Sequence, residues 1–478
     1  MMTEERKPLS ARAFAAVVGG LMLLHLILAI LYANVTPYRT PGYLFVTKSH
    51  LFDPAGKPYF PVPDIGAPDE RQHANYVLEI LSGAGLPVYQ VNVPDPLHPG
   101  QLMRNPLLDE VYEFHQAPLY YGLDAAFGRL TGVDEFTGED SQGGVRLRYL
   151  NALFGALTVL GVYFLSVWGF QRRDVGVLAA AIAALLPMNV ALSGAISNDP
   201  LLFALCTWTL AICARCVRDG WTRKRALAVG ILVGLAILTK ATALILFPVV
   251  GVAFLLKRPK PIKAAICVAS ALLLAIPWWI RNQQIYGDPL GLKAFQELFA
   301  AAPKAGDLMS YFGPFGYWIN FVGWWTARSF FGVFGYMDIF LNERGYADSE
   351  GPNALYRLLL VLAIVACVGF LQNLRRGVPS EDRRVHWLNA AMFGLVTLMF
   401  LRYNYSFFQG QARYFFPALG PICVGLAMGA LYLGRRRKRM VFVFIFGGLV
   451  MLNVYALSRL PAEFARRTTP PQLNLTSR

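Results

Sequence analysis

The chain has 478 residues, of which 55% are hydrophobic and only 15% are charged, and its mean hydropathy is +0.43. A soluble chain of this length would have more charge and would alternate apolar with polar residues, so this composition excludes an ordinary soluble protein. The net charge of +15 could indicate a nucleic-acid partner. We exclude that interpretation because the basic residues stand in short clusters between long apolar blocks, as they do in cytoplasmic loops.

The first apolar block, 14–32, follows the basic residues Arg6, Lys7 and Arg12. It is longer than the apolar region of a signal peptide, and no small-residue cleavage site follows it. We therefore expect an uncleaved first span that begins on the cytoplasmic side.

Apolar blocks of about 20 residues can cross a hydrocarbon core that is about 30 Å thick. The sequence predicts about eleven spans, at 14–32, 147–169, 175–193, 200–217, 226–239, 241–256, 264–280, 354–372, 386–402, 414–433 and 440–458. The basic clusters alternate in step with these spans, which orients the odd-numbered ones outward. The sequence thus predicts one all-α polytopic membrane domain over residues 1–478, with its N-terminus on the cytoplasmic side.

Two segments between the spans are predicted to lie outside. The first loop, 33–145, contains 14 of the 29 acidic residues and only 6 basic ones. Within it, the stretches 70–83 and 118–130 have apolar residues on one helical face, which predicts amphipathic helices at the membrane surface. The second segment, 281–353, is rich in aromatic residues and must cross the membrane twice or not at all; that enrichment favours helices in the interface and no crossing.

The six cysteines lie in or beside apolar blocks, and the long first loop has none. The sequence therefore predicts no disulfide framework. Cys213 and Cys216 form a CxxC motif at the end of a predicted span without a second pair, so we interpret them as small packing residues rather than a metal or redox site.

Polar and ionisable side chains gather in the first loop and at the outer ends of the spans, whereas the cytoplasmic side has mostly lysine and arginine. We therefore expect any site to face outward. The candidates are Asp69, Glu70, His73, His115, Gln116, Asn198, Asp199, Lys240, Arg281, Arg413 and Tyr414.

The acidic candidates also have a purely structural interpretation. Asp69 and Glu70 come directly before the first amphipathic stretch, where the helix dipole favours acidic residues. Asp199 lies at the start of a predicted span, where it could cap the helix. The sequence leaves both interpretations open.

The basic candidates are more unusual. Lys240 stands between two predicted spans, and an ionisable residue at membrane depth is costly and usually functional, although a lysine can extend to the interface. Arg281 and Arg413 are predicted on the outer side, although arginine and lysine are generally enriched on the cytoplasmic side. An anionic ligand or an interhelical ion pair would explain their outer position. Together the candidates indicate a carboxylate base with cations that hold a phosphate.

Short motifs occur in order through most of the chain: Pro68–His73 with Tyr76, Gly85–Val88, Phe114–Tyr121, Arg148 and Asn151, Ser197–Pro200, Leu238–Lys240, Pro277–Asn282 with Tyr286–Pro289, and Gln411–Tyr414 before Pro417. With these motifs the chain resembles the GT-C glycosyltransferases. It is most similar to the bacterial branch related to protein O-mannosyltransferases and lipid A aminoarabinose transferases. The usual paired prolines after His-Gln are replaced by Ala117-Pro118, and Gln-Ala replaces the commoner glycine before Arg413.

The resemblance implies transfer of a sugar from a polyprenyl-phosphate-linked donor to an acceptor hydroxyl, on the extracytoplasmic face of a bacterial inner membrane. It also implies Asp69 as the catalytic base, and we expect inversion at the anomeric carbon. Lys240, Arg281 and Arg413 are the candidates for holding the donor phosphate. The supporting candidates are Glu70, His73, His115, Gln116, Asn198, Asp199 and Tyr414.

No cofactor is required by this chemistry, although His73 and His115 could bind a divalent metal. The acceptor could be a glycan, a lipid or a protein, and membrane lipids are expected partners. Two other classes are weaker. A secondary transporter would have internal repeats and charges near the midplane, which the sequence lacks, and a non-catalytic envelope-assembly protein would not need this outer charged set.

Overall fold

The computed structural model describes residues 11–44, 60–133, 141–298, 304–341 and 354–469. In chain order, the helices within these ranges are α1 (Ala11–Val35), α2 (Glu70–Leu81), α3 (Leu108–Val111), α4 (Leu119–Leu130), α5 (Ser141–Phe170), α6 (Arg173–Leu185), α7 (Pro187–Leu192), α8 (Asp199–Asp219), α9 (Arg223–Ile237), α10 (Leu246–Leu256), α11 (Pro261–Tyr286), α12 (Leu292–Leu298), α13 (Ala305–Phe315), α14 (Trp324–Phe331), α15 (Ala354–Arg375), α16 (Ser380–Ser406), α17 (Leu419–Leu433) and α18 (Lys438–Thr468).

The remaining regular structure consists of short pieces. The 3₁₀ turns lie at Tyr112–His115, Ala241–Ile245 and Ala412–Ala418, and a π-helical turn lies at Gly316–Gly323. The antiparallel strand pairs are β1 (Gly42–Leu44) with β2 (Phe60–Val62), β3 (Asn92–Pro94) with β4 (Leu102–Arg104), and β5 (Val333–Phe334) with β6 (Ile339–Phe340). The predicted all-α membrane fold is therefore confirmed.

Among the described helices, eight are long and apolar enough to cross a membrane: α1, α5, α8, α11, α15, α16, α18, and α17 together with the 3₁₀ turn before it. The three other predicted spans coincide with shorter helices. Residues 226–239 form α9 and 241–256 form a 3₁₀ turn with α10. Residues 175–193 are divided between α6 and α7 at Pro187, because a proline disfavours helical backbone at the residue before it, here Leu186 with ψ 111°.

Burial separates a central group of helices from a peripheral group. Helix α5 packs against α1, α6, α8 and α17, and the apolar residues of α5 and α8 are largely buried. The peripheral helices α15 and α18 instead expose large apolar side chains such as Val361, Ile364, Val443 and Phe444. A hydrocarbon solvent would cover these faces, which is consistent with an integral membrane protein.

Glycines allow two pairs of helices to approach closely. A Cβ atom on Gly230 or Gly234 of α9 would meet the backbone of α11, and a Cβ atom on Gly429 of α17 would collide with the Ala366 carbonyl of α15. Small residues at these crossings let the helices gain dispersion contacts where lipid offers no hydrophobic driving force.

The first loop folds back onto the helical bundle. Its two predicted amphipathic stretches are α2 and α4, which pack against each other, and α4 also contacts α5. Tyr76 and Val77 of α2 and Tyr120 and Tyr121 of α4 are fully buried. Helix α2 therefore buries its apolar face against protein, whereas α4 buries the face with its tyrosines and exposes Leu123 and Leu130. Both helices bring polar residues of the loop to the bundle.

In the second predicted outer segment, 281–353, the described helices α12, α13 and α14 are short, and none is among the candidate spans. Helix α11 extends into this segment, to Tyr286. Part of the segment lies outside the described residues. The expectation that it does not cross the membrane stays a prediction.

Candidate active site

A cavity of about 1120 Å³ lies between the first loop, the junction of α9 and α10, and the end of α16 with the segment that follows it. Of the predicted site residues, eight line it: Asp69, Glu70, His73, His115, Gln116, Lys240, Arg413 and Tyr414. Apolar and aromatic residues form another part of its wall: Trp278, Trp279, Leu292, Met399, Phe400, Phe407 and Phe408. The cavity thus combines a charged region with an apolar one.

Asp69 immediately precedes α2 and has left-handed backbone, with φ 62°. This conformation is uncommon outside glycine, although aspartate tolerates it better than most residues. The Asp69 carboxylate makes no capping hydrogen bond to α2. Instead Oδ2 accepts from Arg413 Nη2 at 2.6 Å and Oδ1 accepts from the Tyr112 hydroxyl at 2.6 Å. Helix capping therefore does not explain this residue.

The surroundings of Asp69 keep it ionised. Burial by itself would raise its pKa, but the positive charge of Arg413 and the hydrogen bonds from Tyr112 and Arg413 outweigh burial and lower the pKa to about 2. The carboxylate is consequently available to accept a proton at any physiological pH. In this arrangement it is a weak base, because Arg413 stabilises its charged form.

Lys240 forms the second ion pair of the cavity. It lies between α9 and the following 3₁₀ turn, and its Nζ atom is 2.6 Å from Asp199 Oδ1 at the start of α8. The carboxylate of Asp199 therefore pairs with a lysine, and no side-chain cap is found at the start of its helix. Asp199 does not itself line the cavity but contacts it through Lys240.

Glu70 has a different role from its neighbour. Both of its carboxylate oxygens accept from Arg148, at 2.7 and 2.6 Å, and the Ile196 amide donates to Oε1 at 2.9 Å. Arg148 is fully buried and also donates to three main-chain carbonyls at the end of α1 and just after it, those of Ala33, Thr36 and Pro37. Removing one member of a buried ion pair typically costs about 3–5 kcal/mol. Glu70 thus anchors the chain that positions Asp69.

His73 connects α2 with the start of α8. Its Nδ1 atom is 2.8 Å from the Tyr121 hydroxyl, which also accepts from Asn198 Nδ2 at 3.4 Å. The same His73 atom is 3.9 Å from Glu113 Oε2. Burial lowers the pKa of His73 and raises the pKa of Glu113, so burial favours the neutral form of both.

His115 and Gln116 line the same cavity. Nδ1 of His115 is 2.5 Å from the Tyr112 carbonyl oxygen, and burial lowers its pKa to about 4, so its ring is neutral at physiological pH. The main-chain carbonyl of Gln116 accepts a hydrogen bond from the Tyr76 hydroxyl at 3.3 Å. Within the described parts of the chain, no three His, Cys, Asp or Glu side chains come close enough to hold a metal ion.

Arg281 does not line the cavity. Its guanidinium donates to the carbonyls of Leu86 and Pro87, at 3.3 and 2.8 Å, and lies 4.8 Å from the centre of the Trp278 ring. The fold brings Asp69, Lys240 and Arg413 together as expected, but it directs Arg281 to the loop backbone. Its predicted contact with the donor phosphate is therefore not supported by its position.

Sequence reasoning missed several lining residues, of which Tyr112 and Tyr403 contribute polar groups. Tyr112 is 43 residues from Asp69 along the chain, and nothing in its local pattern connects the two. Tyr403 lies within a predicted apolar helix end, where a tyrosine is ordinary and gives no signal of a site.

Residues 123–287 match the family model described as dolichyl-phosphate-mannose-protein mannosyltransferase. No curated protein sequence matches the chain at a significant level. The match covers α5 to α11, with part of α4 before them, and therefore includes Lys240 but not Asp69 or Arg413.

Solved structures extend the comparison to nearly the whole chain. The apo oligosaccharyltransferase of Archaeoglobus fulgidus superposes with a TM-score of 0.51 at 13% identity, over 97% of this chain and 57% of that one. ArnT from Cupriavidus metallidurans gives 0.51 at 12% identity in its apo state, over 93% and 78%, and 0.51 at 14% with undecaprenyl phosphate bound, over 95% and 78%. The chain spans little more than half the length of the archaeal protein.

At these identities a structural likeness establishes the fold rather than the activity. The fold agrees with the family match, and both agree with the resemblance drawn from the motifs. The chain therefore has the fold of these solved structures and, over residues 123–287, is similar to the mannosyltransferase family.

Proposed function

We propose that the protein transfers a sugar from a polyprenyl-phosphate-linked donor to an acceptor hydroxyl, with inversion, on the extracytoplasmic face of a bacterial inner membrane. The matched family is named for dolichyl-phosphate-mannose, and the ArnT structure with the same fold contains undecaprenyl phosphate. Both are polyprenyl phosphates. A glycan, a lipid or a protein could supply the acceptor hydroxyl.

One observation supports the proposal more than any other: an ionised Asp69 lies in the same cavity as Arg413 and Lys240, beside an apolar wall. A base, two cations and an apolar surface are what a lipid-phosphate sugar donor requires. The acceptor oxygen attacks the anomeric carbon while Asp69 takes its proton. The bond from that carbon to the phosphate oxygen breaks, and the polyprenyl phosphate leaves with the electron pair.

Both cations are already paired with carboxylates, Arg413 with Asp69 and Lys240 with Asp199. A donor phosphate that attracts Arg413 would therefore weaken its contact with Asp69 and raise the basicity of that carboxylate. In this way donor binding prepares the base, and the same arginine then stabilises charge on the departing phosphate. The leaving group is already a stable anion, so the proposed reaction requires no metal.

The supporting residues have positional roles in this proposal. Glu70 anchors the turn that contains Asp69, and His73 and Asn198 meet at Tyr121. Tyr414 lies beside Arg413, whose guanidinium is 5.3 Å from the centre of the tyrosine ring. A bound substrate would meet preformed groups, which limits the reorganisation needed in the transition state.

The test is Asp69→Asn in membranes supplied with a labelled polyprenyl-phosphate sugar and an envelope acceptor fraction. We expect transfer to fall by at least about a hundredfold, in line with the contribution of a general base. Asp95→Asn is the matched control, since Asp95 lies in the first loop but does not line the cavity. Near-normal transfer by Asp69→Asn would remove Asp69 from its proposed role.

A further inference from the structure

A short hairpin, residues 332–341, forms a part of the cavity wall to which the proposed reaction gives no role. Its strands are β5 and β6, and Tyr336, Met337, Asp338 and Phe340 line the cavity. Two paired strands of two residues each are not stable by themselves, and Met337 at the turn has left-handed backbone, with φ 66°. Other elements must therefore hold the hairpin in place.

Helix α15 fixes the base of the hairpin. The Tyr356 hydroxyl donates to the Gly332 carbonyl at 2.6 Å and accepts from the Leu341 amide at 2.9 Å. One side chain thus joins the two ends of the hairpin. These bonds do not reach the turn, which depends on a different element.

The turn is fixed by the C-terminal end of α18. Arg467 donates from Nε to Asp338 Oδ2 at 2.6 Å and from Nη2 to the Asp338 carbonyl at 3.2 Å. Glu463, one helical turn earlier, accepts from Arg467 Nη1 through its carboxylate and its carbonyl, at 2.9 Å each. Arg467 is only 1% exposed, and a guanidinium bonded at several points fixes its partners in orientation as well as in distance. The last helix therefore holds both the side chain and the main chain of Asp338.

Tyr336 is the residue of this turn that extends toward the proposed catalytic groups. It is 37% exposed, whereas the rest of the hairpin is largely buried. The charges of Asp69 and Arg413 act on its phenol, so the phenol lies close to the ion pair that contains the proposed base. Because Asp338 is two residues away in the same turn, a shift of Asp338 would move this phenol relative to Asp69.

We propose that Arg467 is a positioning residue for the transfer reaction, which holds the turn through Asp338 and so places Tyr336 beside Asp69 and Arg413. The inference rests on the proposed function. Groups around a reacting centre must be placed closely, and a misplacement of about 1 Å can reduce a rate about a hundredfold. Arg467 does not line the cavity, so it acts on the reaction only through the turn.

The test is a double-mutant cycle between Arg467 and Tyr336. It uses the purified full chain in lipid nanodiscs, with a labelled polyprenyl-phosphate sugar and the envelope acceptor fraction. Arg467→Ala and Tyr336→Ala should each lower kcat about tenfold, and the double variant should be no slower than Tyr336→Ala. Two residues that contributed independently would instead lower kcat about a hundredfold together.

A second variant separates positioning from folding. Arg467→Ala leaves the buried Asp338 without its arginine and should lower the Tm, so Arg467→Lys is measured as well. Lysine keeps the charge, but a single ammonium cannot reproduce the contacts of the guanidinium with Asp338 and Glu463. The kcat of Arg467→Lys should lie between those of the wild type and Arg467→Ala.

Arg466→Ala is the matched control, because it removes the same charge one residue earlier and Arg466 does not line the cavity. Its kcat should equal that of the wild type. Wild-type kcat in both Arg467 variants, an undiminished effect of either variant in the Tyr336→Ala background, or an equal loss in Arg466→Ala would each overturn the inference and leave the proposed function intact. Absence of transfer by the wild type would refute the proposed function, and the inference with it.

Discussion

Asp69 and Arg413 form a contact in which each residue changes the chemistry of the other. The arginine keeps the carboxylate ionised and weakly basic, while the carboxylate neutralises the cation that a phosphate would need. Aspartate backbone in the left-handed region at the same position is a local strain that the surrounding structure must maintain. Such strain is frequent at functional sites and agrees with a role for Asp69 beyond capping α2.

The pH dependence of the reaction should show this pairing. In the wild type the pKa of Asp69 is about 2, so the base is ionised throughout the range from pH 4 upward, and kcat/KM should not fall there through loss of Asp69. In Arg413→Ala the charge that lowers the pKa of Asp69 is lost, while burial still raises that pKa. The acidic limb of the kcat/KM profile should therefore move up to the ordinary aspartate value of about 4 or beyond. The limb of Arg413→Lys should lie between them.

Arg104→Ala serves as a charge-matched control, since Arg104 lies in β4 and does not line the cavity. Its acidic limb should coincide with that of the wild type. Coincident limbs for Arg413→Ala and the wild type would contradict the assignment of the low pKa to Arg413.

Tertiary packing of the long helices depends on small residues at particular positions. Gly429 of α17 faces the backbone of α15, where an added Cβ atom would collide with Ala366, whereas Gly425 on the same helix has no atom within 4 Å of such a position. The difference arises because one residue lies at a helix crossing and the other does not.

This contrast predicts the stability of two variants. Gly429→Ala should lower the Tm of the purified protein in detergent, because α15 and α17 must separate or shift, at a cost of about 1–3 kcal/mol. Gly425→Ala should leave the Tm unchanged or raise it slightly, since alanine favours the helix by about 1 kcal/mol over glycine. Equal Tm changes for both variants would show that the crossing at Gly429 is not a tight contact.

At the scale of the whole molecule, the first loop and the bundle form one structure with a cavity between them. The loop is fixed by the buried pair of Glu70 and Arg148 and by the packing of α2 on α4. A superposition on nearly all of this chain with structures of only 12–14% identity indicates that the fold tolerates extensive sequence change. Such tolerance is expected because the packing faces of the helices need only remain apolar, and the polar contacts that fix the first loop involve few residues.

The predicted orientation can be tested on intact bacterial cells that express cysteine variants. Leu97, in the first loop, is 82% exposed, so Leu97→Cys should react with a membrane-impermeant maleimide added outside. Arg436→Cys, between α17 and α18, should react only after the cells are permeabilised. The opposite pattern would invert the topology and move the proposed site to the cytoplasm. The native cysteines give a background measured in the unmodified chain.

The membrane fold could be predicted from sequence because the length of an apolar block and the charge beside it are local properties. Residues 226–239 and 241–256 show the same dependence on length: both blocks are shorter than a full span in the sequence, and both form short helices.

The site was only partly predictable for a different reason. Asp69, Lys240 and Arg413 could be selected because charged residues are rare in such a chain and their presence needs a cause. Their pairing could not be predicted, since Asp69 and Arg413 are separated by 344 residues and meet only when α16 and the first loop pack together. The same packing placed Arg281 at the loop backbone. Sequence by itself therefore determined the membrane-spanning class and the charged residues that needed a role, while tertiary structure decided which of them share a cavity, because ion pairs and hydrogen bonds depend on distances that only the packed helices set.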